Sequence, residues 1–171
     1  LIFKDGKIIS EGYTGRPGQN HAEINAIENI NDKKYLENST MVVTLEPCSH
    51  YGKTPPCTKK IIESKINKVI IGCKDPNLLV NGSGIDQLIN NNIDVKVGVL
   101  ENECLELHKR FFTFQTKKRP YIILKWAETD DGIISPKHKN NNRPYWISND
   151  VSRQYVHKWR SQEHAILVGS K

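Results

Sequence analysis

The chain has no apolar run near the roughly 20 residues that a helical membrane span requires. With 37% hydrophobic residues, its composition is that of a soluble globular protein. Cysteine is scarce, four in 171 residues, which excludes the disulfide framework of a small secreted domain. Two of the four, Cys73 and Cys104, lie in apolar surroundings and read as reduced core thiols, so a reducing, cytoplasmic compartment is expected. No GxGxxG fingerprint is present, so nothing in the composition announces a nicotinamide site. No signal peptide or initiator methionine is visible either. Because Leu1 opens a β-prone run and HAILVGSK ends in a strand-like one, the expectation is a chain that begins and ends partway through a domain.

Charge of one sign is modestly in excess: 25 Lys and Arg against 19 Asp and Glu give a net +6. A clustered surplus of this kind would mark a nucleic-acid partner. Here the lysines are scattered among asparagines and isoleucines with no basic stripe, so neither a nucleic acid nor a membrane is the expected partner. A small phosphorylated substrate suits the charge better.

What the chain does have is concentrated between His21 and Cys57. His21-Ala22-Glu23 opens the stretch and Glu46-Pro47-Cys48-Ser49-His50-Tyr51-Gly52-Lys53-Thr54-Pro55-Pro56-Cys57 closes it. One imidazole and two thiols are three zinc ligands, and a tetrahedral ion held by three protein groups keeps a position for water, the arrangement of a catalytic centre. Glu23, two residues after the histidine at a helix start, is placed to carry protons without being a ligand. That is the logic of the zinc deaminases, whose pattern joins His-x-Glu to Pro-Cys-x-x-Cys. The chain matches the first half and the Pro-Cys, but eight residues separate Cys48 from Cys57. The inserted loop is polar and suited to holding a substrate. A structural, four-ligand zinc is the competing reading, and its nearest fourth candidate, His50, lies only two residues from Cys48, too close for both to chelate one ion comfortably.

Along the chain, residues 2–10 predict a hairpin turning at Asp5-Gly6, and 12–20 an irregular Gly/Pro segment. A short helix is expected from His21, a buried strand at Met41–Leu45, a helix from Cys57 and a strand at Lys68–Gly72. Asp75-Pro76-Asn77 and Gly82-Ser83-Gly84 predict a loop, Ile85–Asn91 a helix, Asp94–Val99 a strand and 101–116 one further helix. This is an α/β order with ligands at helix starts. Lys117-Lys118-Arg119-Pro120 reads as a domain boundary, dividing the chain at 1–116 and 117–171. Beyond it come a strand at Tyr121–Ala127, a turn at Thr129–Gly132, a polar stretch from Lys137 to Arg143, a helix capped by Asn149 or Asp150 and running through Arg160, and a strand at Ala165–Val168.

HAE followed by TLEPCSHYGKTPPC resembles the deaminase domain of the bifunctional riboflavin-biosynthesis deaminase/reductase family. DPN with GSG, and RPYIILKWAETDDG with WIS, are similar to the same family in the same order. The resemblance implies a three-layer cytidine-deaminase-like domain with a central mixed sheet, followed by the start of a dihydrofolate-reductase-like α/β domain, in a homo-oligomer. It implies zinc on His21, Cys48 and Cys57, Glu23 as the catalytic residue, and substrate contacts at His50, Lys53, Asp75 and Asn77. The family often carries histidine where this chain has Thr14. For the second part it implies NADPH, with Lys125, Ala127, Thr129, Asp131 and Trp146 lining the cofactor cleft and Arg160 at the substrate, although Pro144 and the insertion before it depart from the family pattern. The substrate implied is a phosphoribosylated diaminopyrimidinone that loses its 2-amino group as ammonia. Rival readings are a cytidine or tRNA adenosine deaminase, which the long Cys48–Cys57 spacing disfavours, and a zinc-stabilised nucleic-acid module, which gives Glu23 no task.

Overall fold

The structure, a computed structural model, describes residues 1–77, 80–136 and 145–169. They fall into two compact units, Leu1–Tyr121 and Ile122–Lys171.

The first unit is built on five strands. β1 (Ile2–Lys4) and β2 (Lys7–Ser10) form the expected hairpin. Its turn residues Asp5 and Gly6 both take positive φ, 49° and 73°, as a tight turn matched to strand twist requires. β3 (Thr40–Leu45), β4 (Lys68–Cys73) and β5 (Asp94–Val97) are rich in Val and Ile, which suits a pleated, covered surface. The sheet order is β2-β1-β3-β4-β5. β1 runs antiparallel to β2 and β3, while β3, β4 and β5 are parallel, so the sheet is mixed.

Three helices cover one face: α1 (Ala22–Glu28), α2 (Cys57–Glu63) and α3 (Ser83–Asn90). Ile27, Ile61 and Leu88 from these helices meet Met41, Val69 and Ile71 from the strands, and all six are fully buried. Each such side chain contributes about 1.5–3 kcal/mol by leaving water. Residues of opposite parity face the other side, where α4 (Glu101–Leu107) packs. A Cβ on Gly72 would lie 2.2 Å from Cys104 Sγ, so only glycine lets α4 approach β4 this closely. The result is the expected three layers.

Several local expectations are corrected. The helix expected over 101–116 is two, α4 and α5 (Lys109–Lys117), parted at His108 (φ −97°, ψ 13°). The ring of His108 shares a 2.9 Å hydrogen bond with Thr44 Oγ1, which ties the break to the end of β3. A 3₁₀ turn at Lys33–Tyr35, capped by Asp32 accepting from Lys34 N–H at 3.1 Å, was not foreseen. β5 stops at Val97 because Gly98 takes φ +84°.

The second unit departs further. The strands expected at Tyr121–Ala127 and Ala165–Val168 do not form, and among the described residues after Tyr121 there is no strand. A β-prone run becomes a strand only when a neighbour takes its N–H and C=O groups, and no described residue of the second unit forms a strand beside these. The sheet expected for a second α/β domain is therefore not built among the described residues. The turn at Thr129–Gly132 does form, with Gly132 at φ +80° and its N–H donating to Thr129 O at 2.8 Å. α6 (Asp150–Ser161) starts as expected, Asn149 Oδ1 accepting from Ser152 N–H at 2.8 Å. The polar stretch Lys137–Arg143, with Pro144, lies outside the described residues. Among the described residues no helix is long and apolar enough to cross a membrane.

Candidate metal centre

Two short helices and the end of one strand converge on one point. His21 is the N-cap of α1, and Cys57 is the first residue of α2 behind Pro56, whose φ of −63° suits a helix entry. β3 ends at Leu45 and delivers Cys48 three residues later. His21 Nδ1 is 3.5 Å from Cys48 Sγ and 3.3 Å from Cys57 Sγ, and the three atoms all lie within 4.8 Å of one another. A tetrahedral zinc ion with ordinary Zn–N and Zn–S bonds spaces its ligands about 3.5 Å apart, so these side chains fit it without rearrangement. His50 is not one of the group.

The electrostatics suit a cation. Cys48 accepts a hydrogen bond from the Cys57 thiol, another from His21 and a third from Cys57 N–H at 3.3 Å, which together hold its thiol well below the ordinary range. Cys57 is pushed up by the same contact, by burial and by the nearby Glu23 charge. His21 is raised chiefly by its bond to Cys48, against burial. Cys48 is thus the thiol most readily ionised beside the imidazole, and a metal ion would bind the deprotonated forms of both thiols.

Glu23, in the first turn of α1, is held above the usual carboxylate range mainly by burial. It lies beside both Cys57 and His21, and it lines a cavity of about 300 Å³ with His21, Thr14, Glu46, Cys48 and His108. Thr14 reaches that cavity because α1 holds the preceding loop with its outer polar side chains. Asn25 Nδ2 donates to Tyr13 O at 2.7 Å, Asn29 Nδ2 to Glu11 O at 3.0 Å and Ser10 Oγ to Ala26 O at 2.6 Å. At Gly12 a Cβ would sit 2.3 Å from Ala22 O, so glycine is obligatory where the loop crosses the helix.

The other expected substrate residues are placed as follows. His50 Nδ1 is buried and, among the described residues, has no hydrogen-bond partner; such orphaned groups are rare and call for an explanation. Asp75 is buried, which raises its carboxyl, and its Oδ1 accepts from Asn77 N–H at 2.8 Å while it feels the charges of Glu46, His50 and Cys48. Lys53 is exposed, its stem beside the Gly18 turn. In the second unit Lys125, Asp131, Trp146 and Arg160 are exposed, with Ala127 and Thr129 half-buried. Thr129 Oγ1 donates to Asp131, and the Arg153 guanidinium stacks 4.6 Å over Trp146. Among the described residues of this unit no side chain is buried, so these positions are not gathered around a cleft.

Sequence reasoning missed Glu46, read only as a strand end. It is 3% exposed, and its carboxylate accepts from the backbone N–H groups of Asp75, Gly82, Gly84 and Ile85. Those donors lie 29 to 39 residues away, and the signal on offer was only an acid wedged between an apolar strand and Pro47. His108 was missed too, because its partner Thr44 is 64 residues distant.

The cytidine and deoxycytidylate deaminase zinc-binding region matches residues 1–73. Riboflavin biosynthesis protein RibD of Aquifex aeolicus is 43% identical over 169 residues, 99% of this chain and 46% of that protein. RibD of Escherichia coli is 38% identical over 170 residues, 99% of this chain and 45% of that protein. Among solved structures, a diaminohydroxyphosphoribosylaminopyrimidine deaminase/5-amino-6-(5-phosphoribosylamino)uracil reductase from Thermotoga maritima superposes with a TM-score of 0.84 at 45% identity, covering 94% of this chain and 45% of that one. The chain thus spans less than half the length of the relatives it matches. The His/Cys/Cys set, the mixed sheet in this order and these likenesses agree: residues 1–73 match the zinc-binding region of the cytidine and deoxycytidylate deaminases, and nearly the whole chain is similar to part of the riboflavin-biosynthesis deaminase/reductases.

Proposed function

We propose that residues 1–116 form the deaminase domain of a deaminase/reductase and hydrolyse the 2-amino group of 2,5-diamino-6-(5-phosphoribosylamino)pyrimidin-4-one to an oxo group, releasing ammonia. The observation that carries the reading is the convergence of His21, Cys48 and Cys57 with Glu23 buried beside them. Zinc held by these three side chains supplies Lewis acidity that makes water a nucleophile at neutral pH. The rest is the work of the chain's own groups. Glu23, whose burial favours its protonated form, takes a proton at its carboxylate and returns it to the departing amine. His50 Nδ1, buried and without a protein partner among the described residues, is assigned to a polar edge of the substrate. Asp75 and Asn77 hold the opposite side of the ring, and Lys53, free to swing from its exposed loop, meets the ribose phosphate.

Residues 117–171 are assigned to the reductase half, with NADPH contacts at Lys125, Ala127, Thr129, Asp131 and Trp146 and a substrate contact at Arg160. Support comes from the coverage of the Thermotoga structure, 94% of this chain, which takes in most of the second unit. A homo-oligomer in a reducing cytoplasm completes the proposal, consistent with four free cysteines. Ammonia release from the phosphoribosylated pyrimidine, measured beside cytidine, tests the reading. Turnover of the first and not the second is expected, and the reverse preference would replace the substrate assignment.

A further inference from the structure

Among the described residues of the first unit, the most heavily hydrogen-bonded side chain is not one of the metal-centre residues. Glu46 Oε1 accepts from Gly82 N–H at 3.0 Å, Gly84 N–H at 2.9 Å and Ile85 N–H at 3.3 Å, and Oε2 from Asp75 N–H at 3.2 Å and Gly82 N–H at 3.0 Å. α3 has no side-chain cap of its own, since its N-cap is Gly82 in the left-handed region at φ +95°. Glu46 therefore caps α3 from a different element, and its charge sits where the helix presents unsatisfied N–H groups. The packing leaves no slack: a Cβ on Gly84 would lie 2.2 Å from Pro47 O and 3.1 Å from Glu46 Oε1. Two further ties join the same parts, Ser49 Oγ to Ser83 Oγ at 2.5 Å and Thr58 Oγ1 donating to Gln87 Oε1 at 2.7 Å. All of them bind the segment that carries Cys48 and Cys57 to the segment that follows Asp75 and Asn77.

We propose that Glu46 is a positioning residue that fixes the Asp75–Asn77 turn and the start of α3 against the Cys48 loop, so that substrate contacts are set at a constant distance from the metal ligands. The proposal rests on the deaminase reading. Charge-assisted bonds to backbone N–H groups are the stronger kind, and in Glu46→Gln one carboxylate oxygen becomes an amide that turns donor toward donor. His21 and Cys57 keep their own supports, the starts of α1 and α2, and Cys48 keeps its bond from Cys57 N–H.

The test compares wild type, Glu46→Gln and Glu46→Asp as the whole chain loaded with zinc, in three readouts. Zinc stoichiometry by mass spectrometry should be unchanged in Glu46→Gln. Amide hydrogen exchange at Asp75, Gly82 and Gly84 should accelerate by about tenfold or more while amides of α1 keep their protection. In the ammonia assay KM should rise about tenfold with kcat within about threefold, the sign of lost uniform binding. Glu46→Asp, which keeps the charge but is one methylene shorter, should fall between and covers the case in which Glu46→Gln does not fold. Unchanged exchange at Asp75, Gly82 and Gly84, or loss of zinc in step with activity, would overturn the proposal. If the wild type released no ammonia from any pyrimidine yet Glu46→Gln still freed these amides, the deaminase reading would fall and the anchoring would stand.

Discussion

The two units of the chain contain similar side chains and use them differently. In Leu1–Tyr121 the aliphatic residues of three helices and three strands meet in one cluster, with Ile27, Ile61 and Leu88 fully buried. In the second unit Trp146, Trp159 and Leu167 are 63%, 53% and 99% exposed. The difference lies in partners rather than propensity. Tyr121–Ala127 is as β-prone as Met41–Leu45, but β3 has a strand on each side while among the described residues of the second unit the later run has none. A functional site needs a rigid floor, and among the described residues the first unit supplies one: His21 and Cys57 stand at the starts of α1 and α2, and Cys48 follows β3 by three residues.

Cutting the metal centre should have the largest effect and should be confined to the first unit. Cys48→Ser or Cys57→Ser replaces a thiolate by a far poorer ligand, so each variant should lose its zinc on dialysis against a mild chelator, lose deamination entirely, and unfold at lower temperature because bound metal stabilises the folded state. Stoichiometric zinc retained in both would break the ligand assignment. Glu23→Gln should be next. The amide is nearly isosteric but cannot take a proton, so zinc content and melting temperature should stay near wild type while turnover falls roughly a hundred- to ten-thousandfold. Near-normal turnover would remove the proton-shuttle role.

Two smaller effects sharpen the contrast in packing. Ile61→Ala opens a hole in a fully buried site and should cost about 2–5 kcal/mol in denaturant unfolding of the first unit. Trp159→Ala, at a half-exposed position of α6, should change stability by less than about 0.5 kcal/mol. Equal losses would mean that the second unit is packed as tightly as the first. For the same reason NADPH should bind this chain more weakly than about 1 mM by calorimetry, because the six assigned positions are not gathered around a cleft; stoichiometric binding would contradict that.

Much of the first unit was legible because its information is local. Alternating strand and helix signals, an Asp-Gly turn and a His-x-Glu/Pro-Cys pattern all sit within a few residues of what they specify, and His21 and Cys57 stand at helix starts as expected, while Cys48 lies in the loop after β3. The parts that were missed depend on distant partners. Glu46 takes its meaning from the amides of Asp75, Gly82, Gly84 and Ile85, the break at His108 from Thr44, and the failure of two C-terminal β-prone runs from the lack of a strand beside them among the described residues of their unit. Gly72 and Gly12 look like ordinary glycines in the sequence, and only packing against Cys104 and α1 makes them obligatory.

His21, Cys48, Cys57 and Glu23 are proposed to form a working zinc deaminase centre within the first unit. The most direct measurement is ammonia release from 2,5-diamino-6-(5-phosphoribosylamino)pyrimidin-4-one by the zinc-loaded chain, with cytidine and the Glu23→Gln variant alongside. Zinc-dependent turnover of the pyrimidine by the wild type, none of cytidine, and near abolition in Glu23→Gln are expected. Ammonia release that persists after zinc removal or in Glu23→Gln, or its absence from the zinc-loaded wild type, would contradict it.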